Sequence, residues 1–353
     1  MARRLVFYLQ GHIVPASRVR GRVIARALEG VGYSCELRVC HPSVYGDTGL
    51  PAPLGRWRPL FYPAALVSRL GQLGGLDEED LVFFQRPLFE WPFTWLERRV
   101  ARGRPSIFDF DDAIYLNPFG GPKLRRLVDL VDHVIAGNPT LAEAAGAPHK
   151  TTVIPTVIDI ERFRLLPPRP ARGREVVVGW TGTAGNYRQL ATAKAGIARA
   201  LRRTGARFLV IADRPPPPEL AELRPEFVRW DPGREVEDLG RIDVGVMPLP
   251  DTPYARGKCA FKLLQYMALG RPGVASPVGV NRDVVTPGTD GFLAANDAAW
   301  EEALVALIEE PALRATLGQA ARRRVEAAYS LPAVLPEYVG ILRRLGCEPR
   351  PLP

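Results

Sequence analysis

RGKCAFKLLQYMALGRPGVASP, residues 256–277, decides the fold. Phe261, Leu264 and Ala268 recur at helical spacing, while Lys262, Gln265 and Leu269 lie on another face of the same helix. Gly270 ends that helix and Pro272 bars its continuation. Gly273 to Ser276 is short, apolar and closed by Pro277, the pattern of a buried strand that feeds a turn at Pro277-Val278-Gly279. Loop, helix, strand and loop follow one another.

The charge at the front of the helix is of the unexpected sign. A helix N-terminus carries about half a positive charge and favours anions, yet Arg256, Lys258 and Lys262 crowd it. Lys258 and Lys262 are also one helical turn apart, where like charges cost roughly a few tenths of a kcal/mol. Two readings compete. In one, three cations point into water, as surface lysines and arginines usually do. In the other, free backbone N–H groups and lysines form a cradle for a diphosphate.

The adjoining run favours the cradle. Gln265-Tyr266-Met267-Ala268-Leu269-Gly270-Arg271-Pro272 resembles the retaining GT-B glycosyltransferases, specifically glycosyltransferase family 4. Members of that family carry two glutamates separated by seven residues, the second in a helix and followed by an Ala-Met-Ala-x-Gly-x-Pro-Val type of run. Gln265 takes the place of the second glutamate, which in the family hydrogen-bonds the nucleotide ribose. The first falls on Gly257, and there the pattern fails. The resemblance extends through Gly279, Gly288 and Gly291-Phe292-Leu293 to a helical tail near Tyr329-Ser330, and so covers most of the C-terminal half. The N-terminal half matches in layout and in a few short runs.

A chain of 353 residues is long for one α/β domain and comfortable for two. Its net charge of +9 divides almost evenly between the halves, and no segment forms a nucleic-acid arm. A basic surface of this kind attracts anionic lipid, nucleic acid or nucleotide without choosing among them. Cys35, Cys40, Cys259 and Cys347 lack paired metal-ligand spacing and read as free thiols in a reducing compartment. The apolar run Leu5 to Leu9 is too short for a signal peptide, and no run approaches the roughly 20 residues of a spanning helix. The expectation is a cytoplasmic protein, soluble or peripheral on the inner face of the membrane.

Leu5 to Leu9 reads as a first strand, followed by the loop Gln10 to Ser17, a helix from Arg18 to Glu29 and a strand from Ser34 to Cys40. This is the opening of a parallel doubly wound sheet, whose ligands sit beyond the carboxyl ends of the strands. His12, Ser17, Arg18 and Arg20 therefore fall near that rim. Pro42 to Pro63 has no clear period. Pro92 to Arg102 reads as a helix with Trp95 and Leu96 inward and Arg98, Arg99 and Arg102 outward; that basic face rests on anionic lipid or is merely solvated.

The strand Ser106 to Phe110 delivers Asp109, Asp111 and Asp112 to the rim, where three carboxylates repel one another unless something receives them. They hold a divalent metal, begin a phosphatase site of the haloacid dehalogenase type, or bind sugar hydroxyls while capping the next turn. The family resemblance favours the last, because GT-B enzymes generally need no metal. Asp111 and Asp112 are then site candidates and Asp109 is structural. Asn138 is the N-cap of a helix that opens on Pro139.

Pro167 to Arg174 is the strongest linker signal, proline-rich and charged. It separates an N-terminal domain over residues 1–166 from a C-terminal one over 175–330, with 331–353 expected, by resemblance, to cross back. In the second half the strand Glu175 to Trp180 leads into Thr181-Gly182-Thr183-Ala184-Gly185-Asn186 and a helix from Arg188 to Arg203. Glycines let a phosphate approach there, though neither Gly-x-Gly-x-x-Gly nor a Walker lysine is present. Phe227 to Trp230 is a short strand, and Trp230 either stacks on a nucleobase or belongs to the core.

The resemblance thus implies an α/β GT-B fold, two Rossmann-like domains facing each other across a cleft, and sugar transfer from a UDP- or GDP-sugar with retention of configuration. The acceptor is a glycan, a lipid-linked sugar or a small molecule; no cofactor, metal or nucleic acid is expected. Lys262, Lys258, Asp111 and Asp112 are the catalytic candidates, and Gly182, Thr183, Asn186, Trp230, Phe261, Lys262 and Gln265 the nucleotide-binding ones. The rivals are a sugar-nucleotide epimerase or hydrolase of the same fold and a non-catalytic partner subunit.

Overall fold

Apolar runs of four to six residues recur between helical segments, and in the computed structural model they become two parallel sheets. Residues 3–42, 58–167 and 175–350 are described. The chain forms two units, Met1–Val157 with Val334–Pro353, and Ile158–Ala333. Of the linker, residues 168–174 lie outside the described residues, as do 43–57 of the aperiodic stretch.

In the first unit the strands are β1 (Arg4–Leu9), β2 (Ser34–Val39), β3 (Leu81–Gln85), β4 (Ser106–Phe110), β5 (His133–Ala136) and β6 (Thr151–Val153). They lie in the order β2-β1-β3-β4-β5-β6, all parallel. Every residue of β3 and β4 is buried, as expected of strands covered on both faces. The order reverses between β1 and β3, so the loops after those strands flank the switch point where ligands of such sheets bind.

The second unit contains β7 (Val177–Gly182), β8 (Arg207–Ala212), β9 (Glu226–Arg229), β10 (Val244–Met247), β11 (Gly273–Ala275) and β12 (Gly291–Leu293). Their order, β12-β11-β10-β7-β8-β9, is the 3-2-1-4-5-6 arrangement of a dinucleotide-binding fold read from the far edge. Here the switch point lies between β7 and β10. Gly245, Gly273 and Gly291 stand in register across β10, β11 and β12. A Cβ on Gly245 would lie 2.1 Å from the Tyr266 ring, and one on Gly273 2.7 Å from Leu263. The missing side chains let the Phe261–Ala268 helix settle onto the sheet backbone.

Three local readings are corrected. Arg58–Gly71 is a helix although Pro63 lies inside it; Ala65 and Arg69 are buried, so packing overrides the proline as a stop signal. The helix expected over Arg188–Arg203 is broken into Tyr187–Leu190, a 3₁₀ turn at Ala191–Ala193 and Lys194–Thr204. In Trp95–Ala101 the tryptophan is not inward: Trp95 is 45% exposed, and Glu97 is the residue turned into the core. Glu97 is buried because Lys123, itself buried, neutralises it at 2.6 Å.

Candidate active site

The end of β7 and the Phe261–Ala268 helix build the second unit's rim together. The Tyr266 hydroxyl accepts a hydrogen bond from the Thr181 amide at 3.0 Å, which fixes the helix against that strand end. Burial pushes the Tyr266 phenol up, so it keeps its proton. One turn earlier on the same face, Lys262 Nζ lies 5.4 Å from the centre of the Trp180 ring. A Cβ on Gly182 would stand 3.0 Å from Lys262 Cε and 2.6 Å from Trp180. Gly182 and Lys262 are therefore brought together at the switch point, with Trp180 beneath them.

The adjoining loop is ordered by its own side chains. Asn186 Nδ2 donates to Thr183 Oγ1 at 3.0 Å, and the Asn186 amide to the Thr183 carbonyl at 2.9 Å. The Ala184 amide is occupied by Asp213 Oδ1 at 2.6 Å. Asp213, on the loop after β8, was not foreseen.

The other cations of the opening stretch have separate places. Arg256 pairs with Asp251 through two contacts of 2.6 and 3.0 Å, and that hydrogen bond holds the aspartate below its usual range. Lys258 Nζ lies 4.6 Å above the Tyr254 ring. The helix itself begins after Ala260, whose φ of 53° is left-handed, a conformation costly for a residue with a Cβ. Phe261 and Trp230 are partly buried against the same core cluster.

Gln265 is almost fully buried, and its Nε2 donates to Glu235 Oε1 at 3.2 Å. Glu235 Oε2 also receives Arg162 at 2.9 Å. The sequence reading missed Glu235, which starts a helix of five residues, Glu235–Leu239, with no periodic signal.

In the first unit, Arg20 reaches the carboxyl ends of the strands but is buried there. It is 1% exposed and bonds Asp109 at 2.7 Å, with a further bond from its Nη1 to the Ile154 carbonyl. A buried cation requires a partner, and the aspartate at the end of β4 is that partner. Asp111 is met by Arg86 at 2.7 and 2.9 Å, with Asp112 at 3.9 Å from the same guanidinium. Arg86 has a φ of 66° and follows β3 directly, while its amide donates to the Asp109 carbonyl. Arg86 was also missed. The signal for it was present: carboxylates at one strand end need a cation from the neighbouring strand, and Arg86 is the first residue past β3.

Two six-stranded parallel sheets of this kind match glycosyltransferase structures of the GT-B fold. Sucrose-phosphate synthase from Thermosynechococcus elongatus superposes with a TM-score of 0.70 at 17% identity, over 98% of this chain and 99% of its own. HepE from Anabaena, in complex with UDP and glucose, gives 0.68 at 16% identity, over 97% and 100%. A glycosyltransferase from Rickettsia africae gives 0.65 at 14%, over 97% and 98%. No curated protein sequence matches the chain. Residues 175–310 match the family described as Glycosyl transferases group 1, so that stretch of the chain carries a glycosyltransferase domain.

Proposed function

We propose that the protein transfers a sugar from a UDP-sugar to an acceptor with retention of configuration. The observation that carries this reading is the approach of Lys262 to Gly182 at the switch point of the second sheet. Glycine leaves room for a diphosphate against the strand end, and the ammonium meets the charge that develops as the sugar departs. A preorganised cation in that place is worth several kcal/mol to the transition state. Lys258 adds a second positive charge, and metal-independent transfer follows if the two lysines carry the leaving group. Thr183 and Asn186 border the phosphates. Gln265, backed by Glu235, faces the ribose, and Trp230 and Phe261 border the base. Uridine is preferred to guanosine because HepE is known in complex with UDP and with UDP-glucose. In the first unit, Asp111 and Asp112 orient hydroxyls of sugar or acceptor, with Arg86 balancing their charge. The acceptor is a glycan, a lipid-linked sugar or a small molecule, and a place at the inner face of the membrane belongs to the second of these.

The test is Lys262→Ala, read by calorimetric titration of UDP and by turnover. The expected result is UDP binding weakened roughly 10- to 100-fold and turnover lowered at least as much. Unchanged values remove Lys262 from the site. Product formed from UDP-sugar alone indicates an epimerase or hydrolase. Failure to bind any nucleotide sugar, combined with co-purification with an active transferase, indicates the silent subunit for which Gly257 and Gln265 leave room.

A further inference from the structure

On the first unit, a continuous file of aromatic rings emerges beyond β3. Tyr62 and Phe89 each contact Trp91, Trp91 contacts Phe93, and Phe93 contacts Trp95, with ring centres 5.7 to 6.1 Å apart along the file. Its inner end is buried at Phe89, while Trp91 and Trp95 are 50% and 45% exposed. Two indoles left half in water on either side of Phe93 are poorly explained by core packing. The file is held firmly from below: Lys123 bonds the Phe93 carbonyl and Glu97, and Arg126 bonds the Pro92 carbonyl at 2.8 Å.

The charge around the file has one predominant sign. Arg98, Arg99 and Arg102 follow Trp95 at the third, fourth and seventh positions, so all three share its face. They are exposed, and among the described residues none has a carboxylate partner. The acid in that helix, Glu97, is turned inward to Lys123. Glu90 is the exposed carboxylate of the segment.

We infer that the Trp91–Phe93–Trp95 file with Arg98, Arg99 and Arg102 is a docking surface for an anionic lipid bilayer. Tryptophan settles at the level of the lipid headgroups, where its ring is apolar and its N–H stays wet. Arginines one and two turns away reach lipid phosphates while their stems cover apolar surface. A soluble polyanion would use the arginines and leave the indoles idle; a neutral glycan would use the indoles and leave the arginines idle. An anionic membrane uses both. The inference rests on the proposed transfer only for its purpose, which is to hold the first unit at the surface where a lipid-linked acceptor resides.

The test is co-sedimentation of the full chain with phosphatidylcholine vesicles, with and without phosphatidylglycerol. Binding is expected with the anionic lipid and is expected to weaken with salt. Arg98→Gln/Arg99→Gln/Arg102→Gln should lower partitioning by on the order of 100-fold, at about fivefold per cation. Trp91→Ser/Trp95→Ser should weaken binding and abolish the blue shift of tryptophan fluorescence on vesicles. Unchanged thermal melting and UDP binding in both variants establish that they are folded. Equal binding to neutral and anionic vesicles, no binding to either, or undiminished binding by the variants overturns the inference. So does quenching of the exposed tryptophans by a soluble glycan in a protein that ignores vesicles. Vesicle binding without any UDP binding would instead refute the transferase reading and leave the surface standing.

Discussion

Replacing Gly182 by alanine perturbs two things at once, and their sizes can be separated. The new methyl would lie 2.6 and 2.7 Å from Trp180 ring carbons and 3.0 Å from Lys262 Cε. Trp180 is buried and packed against Tyr187 with ring centres 5.2 Å apart, so the ring yields only with strain. Overpacking of this kind costs about 1–3 kcal/mol, which at roughly 2–4 °C per kcal/mol lowers the melting of the second unit by ~2–12 °C. The lysine side chain yields more easily. Moving its ammonium from about 4 to 5 Å from a phosphate charge forfeits ~0.8 kcal/mol at an effective dielectric constant near 20, and about twice that for a diphosphate. UDP affinity should then fall about tenfold. Gly74→Ala in the first unit is the control, because nothing lies within 4 Å of a Cβ there and both readings should stay unchanged. Isothermal titration with UDP and a thermal melt on the same samples suffice. A Gly182→Ala protein that melts lower yet binds UDP with native affinity would refute the claim that Lys262 and this strand end share a phosphate.

Two further outcomes follow from other sites. Arg20→Met leaves Asp109 buried without its guanidinium, and urea unfolding should reveal a loss of about 3–5 kcal/mol, much of it recovered in Arg20→Met/Asp109→Leu. His133 is held down to about 4 by burial and by the neighbouring Arg344 and Lys150. The unfolded chain therefore takes up this proton near pH 6.5 while the folded one refuses it, so stability falls as pH drops from 6.5 towards 4. The loss should be ~1–2 kcal/mol after allowing for partial solvent screening, and acid titration of His133→Asn should lack it.

Much of the fold could be read in advance because parallel strands buried on both faces write themselves as short apolar runs. Leu81–Gln85 and Ser106–Phe110 are such runs, and Asn138 caps its helix through the Leu141 amide at 2.9 Å. Helices were harder where tertiary contacts overrode local signals. Pro63 hid a helix that buried Ala65 and Arg69 sustain, and Trp95 was placed inward because hydrophobicity alone cannot reveal that Lys123 draws Glu97 into the core. Lys262, Gly182 and Gln265 stand out in the sequence as a helix face and a glycine turn; the structure brings Lys262 and Gly182 together and buries Gln265 against Glu235. Glu235, Asp213 and Arg86 do not stand out, since each acts through a neighbour remote in the chain, and only strand order makes them neighbours.

The shared rim of β7 and β10 also has a mechanical consequence. Its two contributors, the Gly182 turn and the lysine-bearing helix, lie far apart along the polypeptide and meet through the pairing of those strands, the Tyr266 tether and the seat of Lys262 on Trp180. If the proposed site holds a nucleotide, one spanning them braces the middle of the sheet. Amide protons of both strands should then exchange more slowly as one block when donor is present, and the second unit should be the part of the molecule that saturation protects most from heat.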